Sequence, residues 1–258
     1  MGLVSLYLFT LLGGLAAGAY AAEACLRRKR SGGRPWLFPL VIVVLFIIAL
    51  IAATSHISSI PRAFESVFGG TVNFGSKMIL EVLMACCFLV LAIIDLIMTA
   101  ARKSSPYVLR IITAIVSVVC IILMGTAYID VYGCPVWCNA PATIILFAGG
   151  DLAMGLALFA LMDASARYDE SALRVSTIVI QIVLALGICL EIASFAGNGL
   201  DFIAQIAGLI IAPVLCLILV ATASKFKNQK VLAACVFIAC LIGVAISRYA
   251  FYAACVAL

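Results

Sequence analysis

Eight apolar runs, each long enough to cross a bilayer, dominate this sequence and leave little between them. They fall at about 3–24, 37–56, 77–100, 107–129, 142–162, 174–196, 202–223 and 231–254, separated by charge, Pro and Gly. At about 1.5 Å per residue, a helix needs roughly 20 apolar residues to cross the hydrocarbon core. Unbroken runs of this length fit helices even where Val and Ile abound, because membrane barrels alternate polar and apolar positions. The expected fold is all-α: a polytopic bundle of eight transmembrane helices, with residues 1–258 forming one integral membrane domain. Of the 258 residues, 67% are apolar and 10% charged, where a soluble domain carries about 25% charge. A soluble enzyme is thereby excluded, and chemistry is confined to helix ends and buried polar side chains.

The Lys and Arg residues divide unevenly between the two ends of such a bundle. One set of connections holds Arg27, Arg28, Lys29, Arg30, Arg34, Arg102, Lys103, Arg110, Arg167, Arg174, Lys225, Lys227 and Lys230; the other holds Arg62, Lys77 and Arg248. Because cytoplasmic loops retain basic residues, both termini are expected outside. The net charge of +5 is then mostly topology and requires no nucleic-acid partner. Ala19-Tyr20-Ala21 resembles a signal cleavage site, but the basic cluster follows the apolar run instead of preceding it, so an uncleaved first helix is expected. The small residues Gly14 to Gly18 suit close helix packing.

Of eleven cysteines, nine lie in or at the ends of apolar runs, where Cys behaves as a small hydrophobe. Cys134 and Cys138 share an outside loop and are candidates for a disulfide. An iron–sulfur cluster needs four thiolates and a structural zinc four ligands, and no such set is apparent. With His56 the only histidine, a haem held between two histidines is excluded. No haem, iron–sulfur cluster or metal is therefore expected in this chain.

Ionisable groups at membrane depth are costly and mark sites or internal pairs. His56, Arg62, Glu81, Asp151, Glu191 and Arg248 all map to the outer half, and Asp95 alone to the inner half. Arg248 has Glu191 or Asp151 as candidate partners, and Asp95 has Arg102. His56, Arg62 and Glu81 together fit a lipid-soluble quinol, which must release two protons and two electrons. An imidazole titrating near pH 6.5 can take a proton from one hydroxyl, a carboxylate can pass protons to outside water, and a guanidinium can hold the head group.

The segment His56-Ile57-Ser58-Ser59-Ile60-Pro61-Arg62-Ala63-Phe64-Glu65-Ser66, followed by Glu81, resembles the loop after helix 2 in the membrane anchor subunits of dimethyl sulfoxide reductase, the DmsC family. The closing segment Gly243 through Ser247-Arg248-Tyr249-Ala250-Phe251-Tyr252 is similar to that family's Gly-Arg-x-x-Phe-Tyr ending. The resemblance implies a multi-pass subunit of the bacterial cytoplasmic membrane that oxidises menaquinol in anaerobic respiration. It also implies two partners, an iron–sulfur electron-transfer subunit and a molybdopterin catalytic subunit. By the same carry-over, His56 and Glu81 are the quinol-oxidising positions, and Arg62, Phe64, Ser66 and Arg248 the quinol-binding ones.

Two other classes compete. A transporter or channel would use Glu191, Asp151 and Asp95 to line a path, although no repeat is evident and only Pro213 breaks a span centrally. A passive anchor would dock a partner on the outer loops 57–76 and 130–141 without touching quinol.

Overall fold

A computed structural model of the chain describes residues 2–28, 34–55, 69, 75–131, 133–163 and 165–257. The described residues contain eight helical spans and no strand: α1 (Gly2–Leu26), α2 (Leu37–Thr54), α3 (Lys77–Arg102), α4 (Tyr107–Thr126), α5 (Ala140–Met162), α6 (Ser171–Gly197), α7 (Ile203–Ala221) and α8 (Gln229–Ala257). Each is long and apolar enough to cross a membrane, as the sequence leads one to expect. Local chemistry sets their ends. Asn139 caps α5 by accepting from the Ala142 N–H, with Pro141 in the first turn, where no N–H is needed. After α6, Gly199 takes φ +70°, so that its N–H reaches Ala196 O and that of Leu200 reaches Phe195 O. In α7, Pro213 sits inside a π-helical turn over Ile210–Val214, because proline has no N–H to donate and its ring crowds the preceding turn.

The helices form two rings of four with the same order. α1 packs on α2, α2 on α3, α3 on α4, and α4 back on α1; α5 to α8 repeat that circuit. The arrangement thus repeats where the sequence shows no repeat. The rings join chiefly along α1 and α5, with further contact of α4 on α5 and α1 on α8. With an even number of spans, both termini lie at one end, called here the far end, opposite the basic loops.

α1 and α5 are apolar all round and are accordingly the most enclosed spans. Their seam is made of backbone. A Cβ on Gly18 would strike the carbonyl of Asp151, one on Gly14 would strike its carboxylate, and one on Gly155 would strike Gly18 and Ala19. The Gly14-to-Gly18 step therefore serves packing within the chain. α2, α3, α6 and α7 turn Val, Ile and Leu outward, among them Ile51, Val82, Ile97, Ile182 and Ile203, as lipid-facing surfaces do.

The basic end is pinned by charge. Arg110, in the first turn of α4, lies 2.8 Å from Glu23 and donates to the carbonyls of Arg27 and Arg28 at 2.6 and 3.0 Å. Lys230, in the first turn of α8, donates to the carbonyls of Leu161 and Asp163. Each ring's fourth helix thus presents a cation to the C-terminus of its first, where the helix dipole and free carbonyls favour it. Glu23 and Arg110 are both buried, so the inner half holds a buried ion pair that the sequence pattern, with Asp95 alone in that half, does not reveal. Arg27 joins the rings, bonding Asp163 at 2.7 Å and gripping Glu170 with both terminal nitrogens.

Two outcomes follow from these contacts. Gly155→Val should cost at least about 1–3 kcal/mol, because the intruding methyls meet backbone that cannot yield, and a thermal melt of the purified protein reads this. Hydrogen bonds from Arg27 hold Glu170 below the usual carboxylate range; for Asp163, burial works the other way, but bonds from Arg27 and Ser165 outweigh it. A lowered folded-state pKa makes this stabilisation complete above about pH 4–5 and lost as pH falls further. Arg27→Gln should therefore lower the melting temperature at neutral pH and flatten its fall between about pH 5 and 3.

Candidate functional site

The far end of the first ring holds Glu81, one of the residues expected to carry quinol chemistry, on α3. On α3, Glu81, Ala85, Phe88, Ala92, Asp95 and Thr99 recur at steps of three and four and form the buried face. The stripe turns the Glu81 carboxyl inward, 6% exposed. Its Oε1 has no hydrogen-bond partner among the described residues. The carboxyl lies within electrostatic reach of Cys120, Tyr128 and Tyr252. Lys77, one turn earlier, bonds Asp130 at 2.8 Å and ties the start of α3 to the turn after α4.

A chain of hydroxyls crosses this end. The Tyr252 hydroxyl of α8 donates to that of Tyr128 at 2.7 Å and lies 3.0 Å from Thr10 Oγ1 of α1. Aromatic rings enclose it: Trp137 stacks on Phe251 with centroids 5.4 Å apart and donates its indole N–H to the Phe251 carbonyl at 2.7 Å. Tyr128 meets Trp137, Phe147 and Tyr252 edge-on or tilted. Immediately deeper, Arg248 bonds Asp151 Oδ1 at 2.8 Å, donates to Thr10 O at 3.1 Å and rests 4.0 Å above the Phe147 ring. This group of residues can hold a proton donor or acceptor rigidly at the membrane end, because its hydroxyls and guanidinium are fixed by internal bonds.

Among the expected site residues, His56, Arg62, Phe64 and Ser66 lie outside the described residues. Glu81 is in place. Arg248 selects Asp151 from its two candidate partners and is only 1% exposed, so it fastens α8 to α5 and α1. Both oxygens of Glu191 are left without a partner among the described residues. Asp95, Asp151 and Glu191 line no common path: Asp95 faces the first ring, Asp151 sits in the seam, and Glu191 faces the second ring. Cys134 and Cys138 are free thiols; Cys134 is buried and Cys138 is exposed, its thiol on the carbonyl of Val131. Burial pushes the Cys134 thiol up to about 12, and a hydrogen bond with Cys255 adds to this. Among the described residues no three metal-binding side chains converge.

Thr10, Tyr128 and Trp137 are the residues that the sequence pattern misses. A threonine in an otherwise apolar run and two aromatics bracketing a short loop were the available signals. Removing one partner of a buried ion pair strands the other, at about 3–5 kcal/mol. Asp151→Ala should therefore destabilise by that order, while Asp151→Leu combined with Arg248→Met recovers much of the loss, as thermal or denaturant melts will register.

The family of DMSO reductase anchor subunits (DmsC) matches residues 1–207. The match spans α1 to α6 and the start of α7, and stops before α8 and its closing motif. No curated protein matches the chain. With most of the sequence, including Glu81 and the seam glycines, inside the matched stretch, the chain belongs to the DMSO reductase anchor subunit (DmsC) family.

Proposed function

We propose that this membrane anchor oxidises menaquinol and delivers the electrons to an iron–sulfur partner subunit, which passes them to a molybdopterin catalytic subunit. The observation carrying this reading is Glu81, a carboxyl group enclosed at one end of the first ring with an oxygen left unpartnered. In hydrocarbon, such a group is retained for function or for a partner. In the sequence, His56, the chain's one imidazole, precedes Glu81 by 25 residues.

Menaquinol gives up two electrons and two protons. His56 takes the proton of one hydroxyl and Glu81 that of the other, and both release them to water at the far end. Arg62, Phe64 and Ser66 hold the head group, with the tail left in lipid. Arg248 acts from behind, fixing Thr10, to which the hydroxyl chain of Tyr252 and Tyr128 is bonded. The thirteen basic residues assigned to the opposite connections support a far end facing outward from a bacterial cytoplasmic membrane; in this reading proton release and partner docking share that face.

The test is the assembled complex carrying His56→Ala or Glu81→Gln. Menaquinol-dependent reductase activity should fall by about 100-fold or more, the scale of losing a positioned acid–base group, while activity with an artificial donor to the catalytic subunit is unchanged. Normal quinol turnover in both variants would overturn the site, and absence of bound quinol-site inhibitor in the unaltered complex would favour a passive anchor.

A further inference from the structure

The second ring encloses polar atoms that nothing in the far-end site uses. The hydroxyl of Tyr168, Oε1 of Gln181, both carboxyl oxygens of Glu191, Oε1 of Gln205 and Oγ of Ser247 have no hydrogen-bond partner among the described residues. None of these five side chains belongs to a residue more than 1% exposed. Each unanswered polar atom in a low-dielectric interior is destabilising, so several together in one ring require a common explanation.

They are arranged in tiers. Gln181 and Glu191 share the buried stripe of α6, ten residues or about 15 Å apart along the axis. At the upper level, the Gln205 amide of α7 donates to the Ser247 carbonyl of α8 at 3.1 Å, and Gly208 lets Ser247 lie against α7. At the lower level, Gln181 donates to Cys240 of α8 at 3.0 Å, and Cys240 meets Cys216 of α7 at 3.4 Å. Between the tiers runs the π turn with Pro213, which itself has no N–H to donate. Below them, Tyr168 closes the basic end, its backbone N–H on Gln229. Of the helices packed on α6, α5 offers Glu191 only Asp151, already paired with Arg248 of α8, and α7 offers no charged residue. Among the described residues, ion pairing therefore does not explain Glu191. Water can, since one buried molecule supplies two to four hydrogen bonds to groups of this kind.

We propose that the second ring holds a file of water molecules from the basic end past Tyr168 and Gln181 to Glu191, and that Glu191 exchanges its proton along it. Each exchange balances: a water gives one proton to one Glu191 oxygen while the other oxygen returns the carboxyl's own proton to the file, every water accepts one proton and passes one on, and bulk water at the basic end supplies the incoming proton and takes up the outgoing one. This route is separate from the far-end site, and its test uses no quinol, so the two readings stand or fall apart.

The full chain in lipid nanodiscs, moved from H2O to D2O, provides the test by infrared spectroscopy. The carbonyl stretch of a protonated carboxylic acid, assigned to Glu191 by its loss in Glu191→Gln, should shift promptly in D2O. Gln181→Met, which removes one hydrogen-bonded link, should slow that shift about tenfold, and Gln181→Glu should restore it. Tyr168→Phe deletes only an unpartnered hydroxyl, folds without loss of a bond, and should slow the shift as well. A Glu191 band that does not exchange, the absence of such a band, or exchange at the unaltered rate in folded Gln181→Met and Tyr168→Phe would each overturn the water file.

Discussion

Asp151 can occupy the centre of this molecule because α1 presents glycine to it at positions 14 and 18. A side chain at either position would displace α5, and without α5 at that distance Arg248 could not reach both Asp151 and the carbonyl of Thr10. Backbone contact and buried charge are thus one device. The glycines supply the close approach, the ion pair fixes the register, and the energy of breaking the pair in hydrocarbon opposes sliding of one ring on the other.

The two rings solve the same packing problem with different interiors. In both, a cation from the fourth helix covers the C-terminal carbonyls of the first: Arg110 for α1 and Lys230 for α5. In the first ring that cation also pairs with buried Glu23. In the second the interior polar groups of α6, α7 and α8 meet amides, thiols and carbonyls, with oxygens to spare. The π turn at Pro213 breaks the likeness further, since the third helix of the first ring runs unbroken from Lys77 to Arg102.

Span number and helical class were legible in the sequence because hydrophobic length alone decides them. So was the place of Glu81 near the start of the third span, though not the buried face it shares with Ala85, Phe88 and Ala92. Pairings between distant helices were not. Arg248 had two acids within plausible reach by depth, and only the lateral order of helices chooses Asp151 over Glu191. Arg110 reads as a loop residue by its neighbours Lys103 and Pro106, yet it lies inside α4 because Glu23 and the end of α1 offer it partners. Tyr128 and Thr10 carry no motif; their bond to Tyr252 exists only once α1, α4 and α8 meet.

That meeting constrains the order of assembly. α1 is the first span made, but the groups that answer its polar atoms come from α4, α5 and α8. Glu23 finds Arg110 when the fourth span is inserted, so the first ring can close early with its basic end pinned. Thr10 and the bare backbone at Gly14 and Gly18 remain uncovered until α5 docks, and Thr10 waits for Tyr252 near the end of the chain. Contacts of such sequence separation form late because loop closure precedes their gain. The far-end network is therefore completed last, and its geometry is set by a seam already closed against α5. Under the proposed quinol oxidation, a group meeting a lipid-soluble reductant in fixed geometry is well served by that order, since no later step remains to disturb it.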